Sequence, residues 1–140
     1  MVSVYRVLDA NLNRAKEGLR VCEEIARFLL ENPALTRRCQ RLRYALDRAA
    51  AGLPRTKLLR ARDSGRDVGR PEKRGVVRRH SKVQDLLASN LRRTQEALRV
   101  LEEFSRLVDR AASRAFGSLR FKVYSLEQSF PSRSPSLRHR

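Results

Sequence analysis

The sequence predicts an all-α fold: a helical hairpin, duplicated about a pseudo-twofold axis, forming a four-helix bundle with a long basic linker loop between the repeats. Three observations favour this fold. Apolar residues recur at three- and four-residue spacing through most of the 140-residue chain. An eighteen-residue segment recurs 79 positions later. Aromatic residues make up only 6% of the chain and tryptophan is absent, which suits packed helices better than a β-sandwich.

The first predicted hairpin spans residues 4–51. Its first helix ends at Asn32-Pro33, because proline lacks a backbone N–H and restricts the residue before it. A second helix follows to about Ala51, where Gly52-Leu53-Pro54 ends it. Residues 52–80 lack sustained periodicity and are rich in arginine, aspartate and glycine. We therefore expect a long linker there, of the kind that is usually functional or disordered.

The second predicted hairpin spans residues 81–129. Ser81-Lys-Val-Gln84 matches a capping box, in which a hydroxyl and an amide each reach an unpaired backbone N–H. The third helix is predicted to run to about Asp109 and the fourth to cover roughly 111–128.

The predicted fourth helix also echoes the second helix in sequence. Its "LRF" at Leu119 resembles the "LRY" at Leu42, so the whole hairpin is the repeating unit. A chain of this length suggests one domain, over residues 1–130. The basic stretch 131–140, "PSRSPSLRHR", is expected to be a disordered tail.

The chain carries a net charge of +17, and arginine outnumbers lysine 27 to five among its 32 basic residues. Such a charge attracts nucleic acid, phosphorylated metabolites or an acidic membrane. Part of the arginine excess is explained equally well by a GC-rich genome. The charge therefore indicates an anionic partner without choosing one.

Cellular context is inferred from the apolar runs, cysteines and histidines. No apolar run is long enough to span a membrane, and the first residues show no secretory signal, so we expect a cytoplasmic protein. Cys22 and Cys39 fall within helical patterns and are interpreted as small core residues. His80 and His139 are isolated, which argues against a zinc site.

The repeated segment reads "NLNRAKEGLRVCEEIARF" from Asn11 and "NLRRTQEALRVLEEFSRL" from Asn90. Ten of the eighteen positions are identical, and seven of these are polar, whereas several apolar positions have changed. A duplicated scaffold normally keeps its apolar pattern, so the retained polar residues ask for a separate reason. They are Asn11/Asn90, Arg14/Arg93, Glu17/Glu96, Arg20/Arg99, Glu23/Glu102, Glu24/Glu103 and Arg27/Arg106.

A helical projection divides these residues into two groups. Arg20, Glu23 and Arg27 fall on the outer face, where the simplest interpretation is a solvated ladder of ion pairs. Asn11 and Arg14 fall inside the apolar arc, with Glu17 at its border. The second copy repeats this placement with Asn90, Arg93 and Glu96.

An arginine inside an apolar arc is costly unless it is paired or meets an anion. Two interpretations follow for Arg14 and Arg93. One is a symmetric core network that pairs Arg14 with Glu17 or Glu96. The other is a ligand cleft between the repeats, where two guanidinium groups bind a phosphorylated substrate.

The linker contains "RARDSGRDVG", residues 60–69, with two aspartates four positions apart. Asp63 and Asp67 suit either a Mg²⁺ site or the orientation of a hydroxyl or phosphate nucleophile. Ordinary turn chemistry explains the same residue types. The standard nucleotide-binding glycine motifs are absent from the sequence.

Four segments in order, "DANLNRAKEGLRVCEEIARF", "LLRARDSGRDVG", "SNLRRTQEALRVLEEFSRL" and "LRFKVYSLE", resemble a known family. They are similar to the small helical domain often fused in front of bacterial thiamine phosphate synthase, an alternative hydroxymethylpyrimidine-phosphate kinase unrelated to the ribokinase type. The resemblance covers about residues 6–129. It implies ATP-dependent phosphorylation of 4-amino-5-hydroxymethyl-2-methylpyrimidine phosphate to the diphosphate in thiamine biosynthesis.

The resemblance also implies site residues and cofactors. Mg²⁺ would be bound by Asp63 and Asp67, which with Arg62 form the expected catalytic group, while Arg66 and Gly69 would contact ATP. The expected substrate-binding residues are Asn11, Arg14, Glu17, Arg20, Asn90, Arg93, Glu96 and Arg99. The sequence departs from the family pattern in two places: no synthase barrel follows, and "RPEKRGVVRRHSK" stands after Gly69 where a Ser/Thr-rich stretch is expected.

Two other functions compete with the kinase: an RNA- or ribosome-binding module, and a non-catalytic partner of a separate thiamine phosphate synthase. The basic stretches lack interleaved aromatic residues for base stacking, which disfavours nucleic acid. A homodimer is a further possible assembly. For the kinase, we expect residues 55–80 to form a lid that orders when a polyphosphate neutralises its arginines.

Overall fold

The computed structural model describes residues 2–62, 64–69 and 82–132. Within these ranges every regular element is helical, which confirms the predicted all-α class. No helix in the same ranges is long and apolar enough to cross a membrane. The α-helices are α1 (Val2–Glu24), α2 (Pro33–Ala50), α3 (Arg55–Ala61), α4 (Val83–Ser105) and α5 (Arg110–Ser129), with a π-helical turn at Ile25–Leu29 and a 3₁₀ turn at Ser64–Arg66.

The predicted helix break at Asn32-Pro33 is confirmed. Pro33 occupies the first turn of α2, where its missing N–H would have no helical partner anyway. The Asn32 side chain is the N-cap and accepts a hydrogen bond from the Leu35 backbone N–H at 3.0 Å. Asp109 does the same for α5, accepting from the Ala112 N–H at 3.0 Å.

The start and end of α4 differ from the prediction. Its N-cap is Lys82, which makes no side-chain cap hydrogen bond, so no capping box is seen there. The Gln84 amide instead donates to the Ser132 carbonyl at 2.5 Å, and Ser81 lies outside the described residues. The helix ends at Ser105, before the predicted Asp109, because the N-cap of α5 already occupies that position.

The predicted linker is partly helical. Arg55–Ala61 forms α3, which packs on α1 and buries Leu58 and Ala61. Seven residues are too few for a periodic pattern, and α3 depends on this contact for its stability. The rest of the predicted lid, at 70–81, and the tail at 133–140 lie outside the described residues.

The core lies among the four long helices. α1 packs against α2 and α4, and α5 packs against α2 and α4, so each long helix contacts two others. Cys22 and Cys39 are both buried in this core, as predicted. Desolvation by burial raises the pKa of both thiols, that of Cys39 to about 12. Both cysteines therefore stay protonated at neutral pH and behave as core residues.

The α1–α4 contact requires a glycine at position 18. A Cβ atom on Gly18 would meet the Thr94 hydroxyl and lie 2.9 Å from the Asn90 carbonyl oxygen. Thr94 is fully buried, and its hydroxyl donates to that same carbonyl at 2.9 Å. The two helix backbones therefore approach more closely than any side chain at position 18 would allow.

The charges predicted to form an outer ladder are buried in one key case. Glu23 is only 1% exposed and joins α1 to α2. Its Oε1 accepts hydrogen bonds from Nε and Nη2 of Arg43, at 3.1 and 3.0 Å. Arg20 donates to its other oxygen at 3.3 Å. The prediction of a solvated face is thus wrong for Glu23, because α2 covers that side of α1, whereas Arg20 and Arg27 are exposed.

The second hairpin contains the same contact. Glu102 accepts from Arg99 at 2.9 Å and from Arg120 of α5 at 3.3 Å. Arg43 and Arg120 are the arginines of the "LRY" and "LRF" segments, and Gly117 leaves room for the Glu102 carboxylate. The glutamates and arginines retained in both copies therefore hold the two helices of each hairpin together.

We expect Gly18→Ala to destabilise the protein. In an exposed helix this change would stabilise by about 1 kcal/mol through helix propensity. Here the clash with Thr94 and the Asn90 carbonyl outweighs that gain, at a cost of about 1–3 kcal/mol. Urea unfolding measures the difference. Adding Thr94→Ala removes one of the two clashing groups and should restore part of the loss, whereas a stabilised Gly18→Ala would contradict the close approach.

Glu23→Ala should cost about 3 kcal/mol of unfolding free energy, because it leaves the Arg43 guanidinium without its carboxylate. The half-exposed Glu24 offers a matched control on the same helix, and Glu24→Ala should change stability by less than about 1 kcal/mol. Glu102→Ala and Glu103→Ala repeat the comparison in the second hairpin. Equal costs for Glu23→Ala and Glu24→Ala would show that the buried pair contributes nothing special.

Candidate functional site

The four charged residues predicted to lie at or inside the apolar arc are on the surface. Arg14, Glu17, Arg93 and Glu96 are all exposed. Arg93 and Glu17 form a loose ion pair across α1 and α4, with 3.7 Å between Nη2 and Oε2. Their side chains are 56% and 69% exposed, so neither a buried core network nor an enclosed cleft exists at this place.

The error comes from the position of the buried arc on α1. With Asn11 at zero, the buried face runs from Ile25 near 320° through zero to Asp9 near 160°. The prediction used Phe28 as one edge, but Phe28 lies in the π-helical turn and is 60% exposed. Arg14, near 300°, therefore falls just outside the arc.

The predicted asparagines make hydrogen bonds within their own helices. Asn11 is buried, and its amide donates to the Val7 carbonyl at 2.9 Å. Asn90 is half-buried and donates to the Leu86 carbonyl at the same distance. Arg20 and Arg99 each bridge two glutamates on their own helix. These contacts give all four residues a structural role, and their substrate-binding role stays a prediction.

A groove of about 650 Å³ lies between α1, α2 and α3. Its volume falls within the range of small-molecule sites. Only the first hairpin and the start of the linker contribute to it. The lining residues are Asp9, Leu12, Asn13, Lys16, Asp47, Ala50, Ala51, Leu53, Arg55, Leu58, Leu59 and Arg62.

One wall of the groove is a bidentate ion pair between Arg62 and Asp9. Nε of Arg62 donates to Oδ2 of Asp9 and Nη2 donates to Oδ1, both at 2.8 Å. The hydrogen bonds to Asp9, and then the charge of Asp9, raise the pKa of the Arg62 guanidinium. Asp9 is buried while Arg62 is half exposed, so the pair fixes the end of α3 to α1 and leaves the arginine within reach of a ligand.

A second ion pair crosses the groove from α1 to α2. Lys16 Nζ lies 2.5 Å from Asp47 Oδ1, and both side chains are about half exposed. Arg55 contributes a third cation to the lining. With Lys16, Arg55 and Arg62 against two carboxylates, the groove is net positive. Exposed pairs of this kind exchange partners at low cost, so phosphate oxygens can replace the carboxylates.

The linker residues predicted to bind metal and ATP are described only in part. Asp67 is exposed, and its Oδ1 accepts the Gly69 backbone N–H at 2.9 Å, which is ordinary turn chemistry. Arg66 is also exposed, and Asp63 lies outside the described residues. In the described part of the chain, no group of three or more His, Cys, Asp or Glu side chains could hold a metal. Mg²⁺ binding by Asp63 and Asp67 therefore stays a prediction.

Sequence reasoning found Arg62 but missed its partner and the other charged residues of the groove. Asp9 and Lys16 have no charged counterpart in the second copy, where Ala88 and Gln95 stand at the matching positions. A search for residues retained between the copies discards both. Differences between the copies were the available signal, because the groove belongs to one copy only.

Residues 6–129 match the family model of the ThiD2 family. The chain belongs to the ThiD2 family. Relatives named thiamine-phosphate synthase include those of Synechocystis sp. PCC 6803, Nostoc punctiforme and Rhodopirellula baltica, at 46%, 42% and 37% identity. The aligned regions cover 89%, 89% and 88% of this ThiD2 chain and 35%, 34% and 33% of those relatives. The chain thus spans about a third of the length of these curated relatives, and no solved structure matches it.

We expect Arg62→Ala to loosen α3 in this ThiD2 protein, because it removes both hydrogen bonds to Asp9. Backbone amides of Arg55–Ala61 should exchange hydrogen roughly tenfold faster, while α1 and α2 keep their protection. Arg60→Ala is the matched control, since Arg60 is an exposed arginine of the same helix that does not line the groove. Unchanged exchange in Arg62→Ala would mean that Leu58 and Ala61 alone hold α3 in place.

Proposed function

We propose that this ThiD2 chain takes part in thiamine biosynthesis as an ATP-dependent kinase. It would convert 4-amino-5-hydroxymethyl-2-methylpyrimidine phosphate to the diphosphate. Family membership supports this proposal, as do curated relatives named thiamine-phosphate synthase that share the region. In this proposal a separate thiamine phosphate synthase consumes the product, and the same helical domain is the surface that would meet it.

The groove between α1, α2 and α3 is the observation that carries the proposal. It combines a volume suited to a small phosphorylated molecule with three cations on three helices, Lys16, Arg55 and Arg62. Leu12, Leu58 and Leu59 give it apolar surface for a heteroaromatic ring. Ligand sites of this size are commonly lined by apolar residues with a few placed charges.

The reaction asks for positioning and charge neutralisation more than for acid–base chemistry. The substrate is a phosphate monoester whose second pKa is about 6, so its attacking oxygen already carries negative charge at neutral pH. That oxygen forms a new bond to the γ-phosphorus of ATP, the bond to the β–γ bridging oxygen breaks, and ADP leaves. No proton has to be removed from the nucleophile, and the cations lower the repulsion between the two phosphates.

Each charged residue of the groove has a distinct role in this proposal. Arg62 and Lys16 bind the substrate phosphate, and Asp9 and Asp47 hold them in position before the substrate arrives. Mg²⁺ would neutralise the phosphates of ATP, and it usually needs only one or two protein carboxylates in addition to the phosphates. The exposed carboxylate of Asp67, together with Asp63, is proposed for that role.

We further propose that the two hairpins are related by a pseudo-twofold axis and that the catalytic groove developed in one of them. Support comes from contacts that recur at a constant offset along the chain. These are Asn11 to Val7 and Asn90 to Leu86, the caps Asn32 and Asp109, and the pairs Glu23–Arg43 and Glu102–Arg120.

A kinase assay with the purified chain, ATP, Mg²⁺ and the pyrimidine phosphate tests the function. Lys16→Met should lower kcat/KM at least tenfold, about 1.4 kcal/mol of transition-state stabilisation. Gln95→Met alters the matching position of the second hairpin, away from the groove, and should stay within about twofold of wild type. ADP formation that depends on the pyrimidine phosphate is the readout.

Arg14→Ala and Arg93→Ala distinguish the groove from a cleft between the repeats. Tenfold losses in both, with full activity in Lys16→Met, would move the substrate to the exposed edge between α1 and α4. No turnover by the folded wild-type chain at millimolar substrate would contradict the kinase itself and favour a non-catalytic role beside a synthase.

A further inference from the structure

A second groove, of about 290 Å³, lies between α2 and α5 and is lined mainly by cations. Arg38, Arg41 and Arg48 line it from α2, at positions that share one face of the helix. Lys122 lines it from α5. The remaining lining residues are Leu42, Ala45 and Ser125, which leave a small floor with one hydroxyl.

These four cations differ from most other arginines that the structure describes near the helix contacts. Arg20, Arg43, Arg62, Arg99 and Arg120 each pair with a carboxylate. Among the ion pairs of residues 2–62, 64–69 and 82–132, none involves a cation of this groove. Its positive potential is therefore not neutralised within the described chain, and like charges lining one concave surface attract an anion.

The groove lies on the opposite side of α2 from the candidate active site. With Leu42 at zero, Arg38, Arg41 and Arg48 fall between about 240° and 320°, whereas Asp47 and Ala50 of the first groove fall between about 80° and 140°. A helix with its side chains is about 10–12 Å thick. A phosphate bound here is thus too far from the first groove to act there as phosphoryl donor or acceptor.

We propose that the α2–α5 groove is a second anion site, which binds the phosphate or diphosphate group of a small molecule. Arginine forks and a lysine suit phosphate oxygens, and Ser125 adds a hydroxyl donor. The volume is at the lower end of ligand pockets, so a compact anionic group fits it better than a whole nucleotide. No aromatic side chain lines it for base stacking, which disfavours a nucleic acid strand. The inference is independent of the kinase proposal.

Titration calorimetry with inorganic pyrophosphate, in buffer of physiological ionic strength, tests this site. Arg41→Ala/Arg48→Ala should weaken the affinity at least tenfold. Arg27→Ala/Arg92→Ala removes the same charge from exposed positions outside the groove and should change the affinity less than twofold. Arg41 and Arg48 are themselves exposed, so thermal unfolding should show both double variants folded. Lys122→Glu approaches the site from α5 and should also abolish the binding.

Three results would overturn the proposal. No pyrophosphate binding by the wild type at millimolar concentration removes the site. Equal losses in the two double variants reduce the effect to net charge, which at +17 attracts any anion. A ten-nucleotide single-stranded RNA that binds a hundredfold tighter than pyrophosphate, through Arg41 and Arg48, would make the ligand a nucleic acid. Binding that persists in Arg62→Ala and is lost in Arg41→Ala/Arg48→Ala assigns it to this groove and not to the first.

Discussion

The buried carboxylate of Glu23 constrains the first hairpin more than any other single group. A charge that is 1% exposed has to be paired, and Arg43 supplies the pair from α2. This contact decides which face of α2 meets α1. Asp47 lies one turn beyond Arg43 and so also faces α1, where it reaches Lys16. The arginines at 38, 41 and 48 point to the other side. The same ion pair thus places both grooves.

Duplication and specialisation act on different residues in this protein. The residues retained in both hairpins, such as Glu23 and Glu102, join helices, which explains why charges stayed while core residues changed. A paired internal charge has few acceptable replacements, whereas apolar residues exchange for one another at modest cost. The groove instead uses residues found in one copy, Asp9 and Lys16, and a short helix, α3, that follows only the first hairpin.

The arginine-rich composition divides into two physical classes. One class, with Arg43, Arg62 and Arg120 as members, is used up in ion pairs that hold helices together. The other, with Arg41 and Arg48, lines a concave surface without carboxylates. Net charge sums the two classes and so indicates an anionic partner without locating it. Only the distribution of the pairs separates structural arginines from those that face a ligand.

The sequence by itself determined what depends on neighbours along the chain. It predicted the all-α class, the break at Asn32-Pro33 and the buried cysteines, because helix periodicity and proline act over a few residues. Tertiary structure decided the burial of Glu23, the exposure of Arg14 and the pairing of Asp9 with Arg62 across 53 positions. A helix projection gives relative directions on one helix, but burial depends on which distant helix covers each direction, and that is settled only when the helices pack.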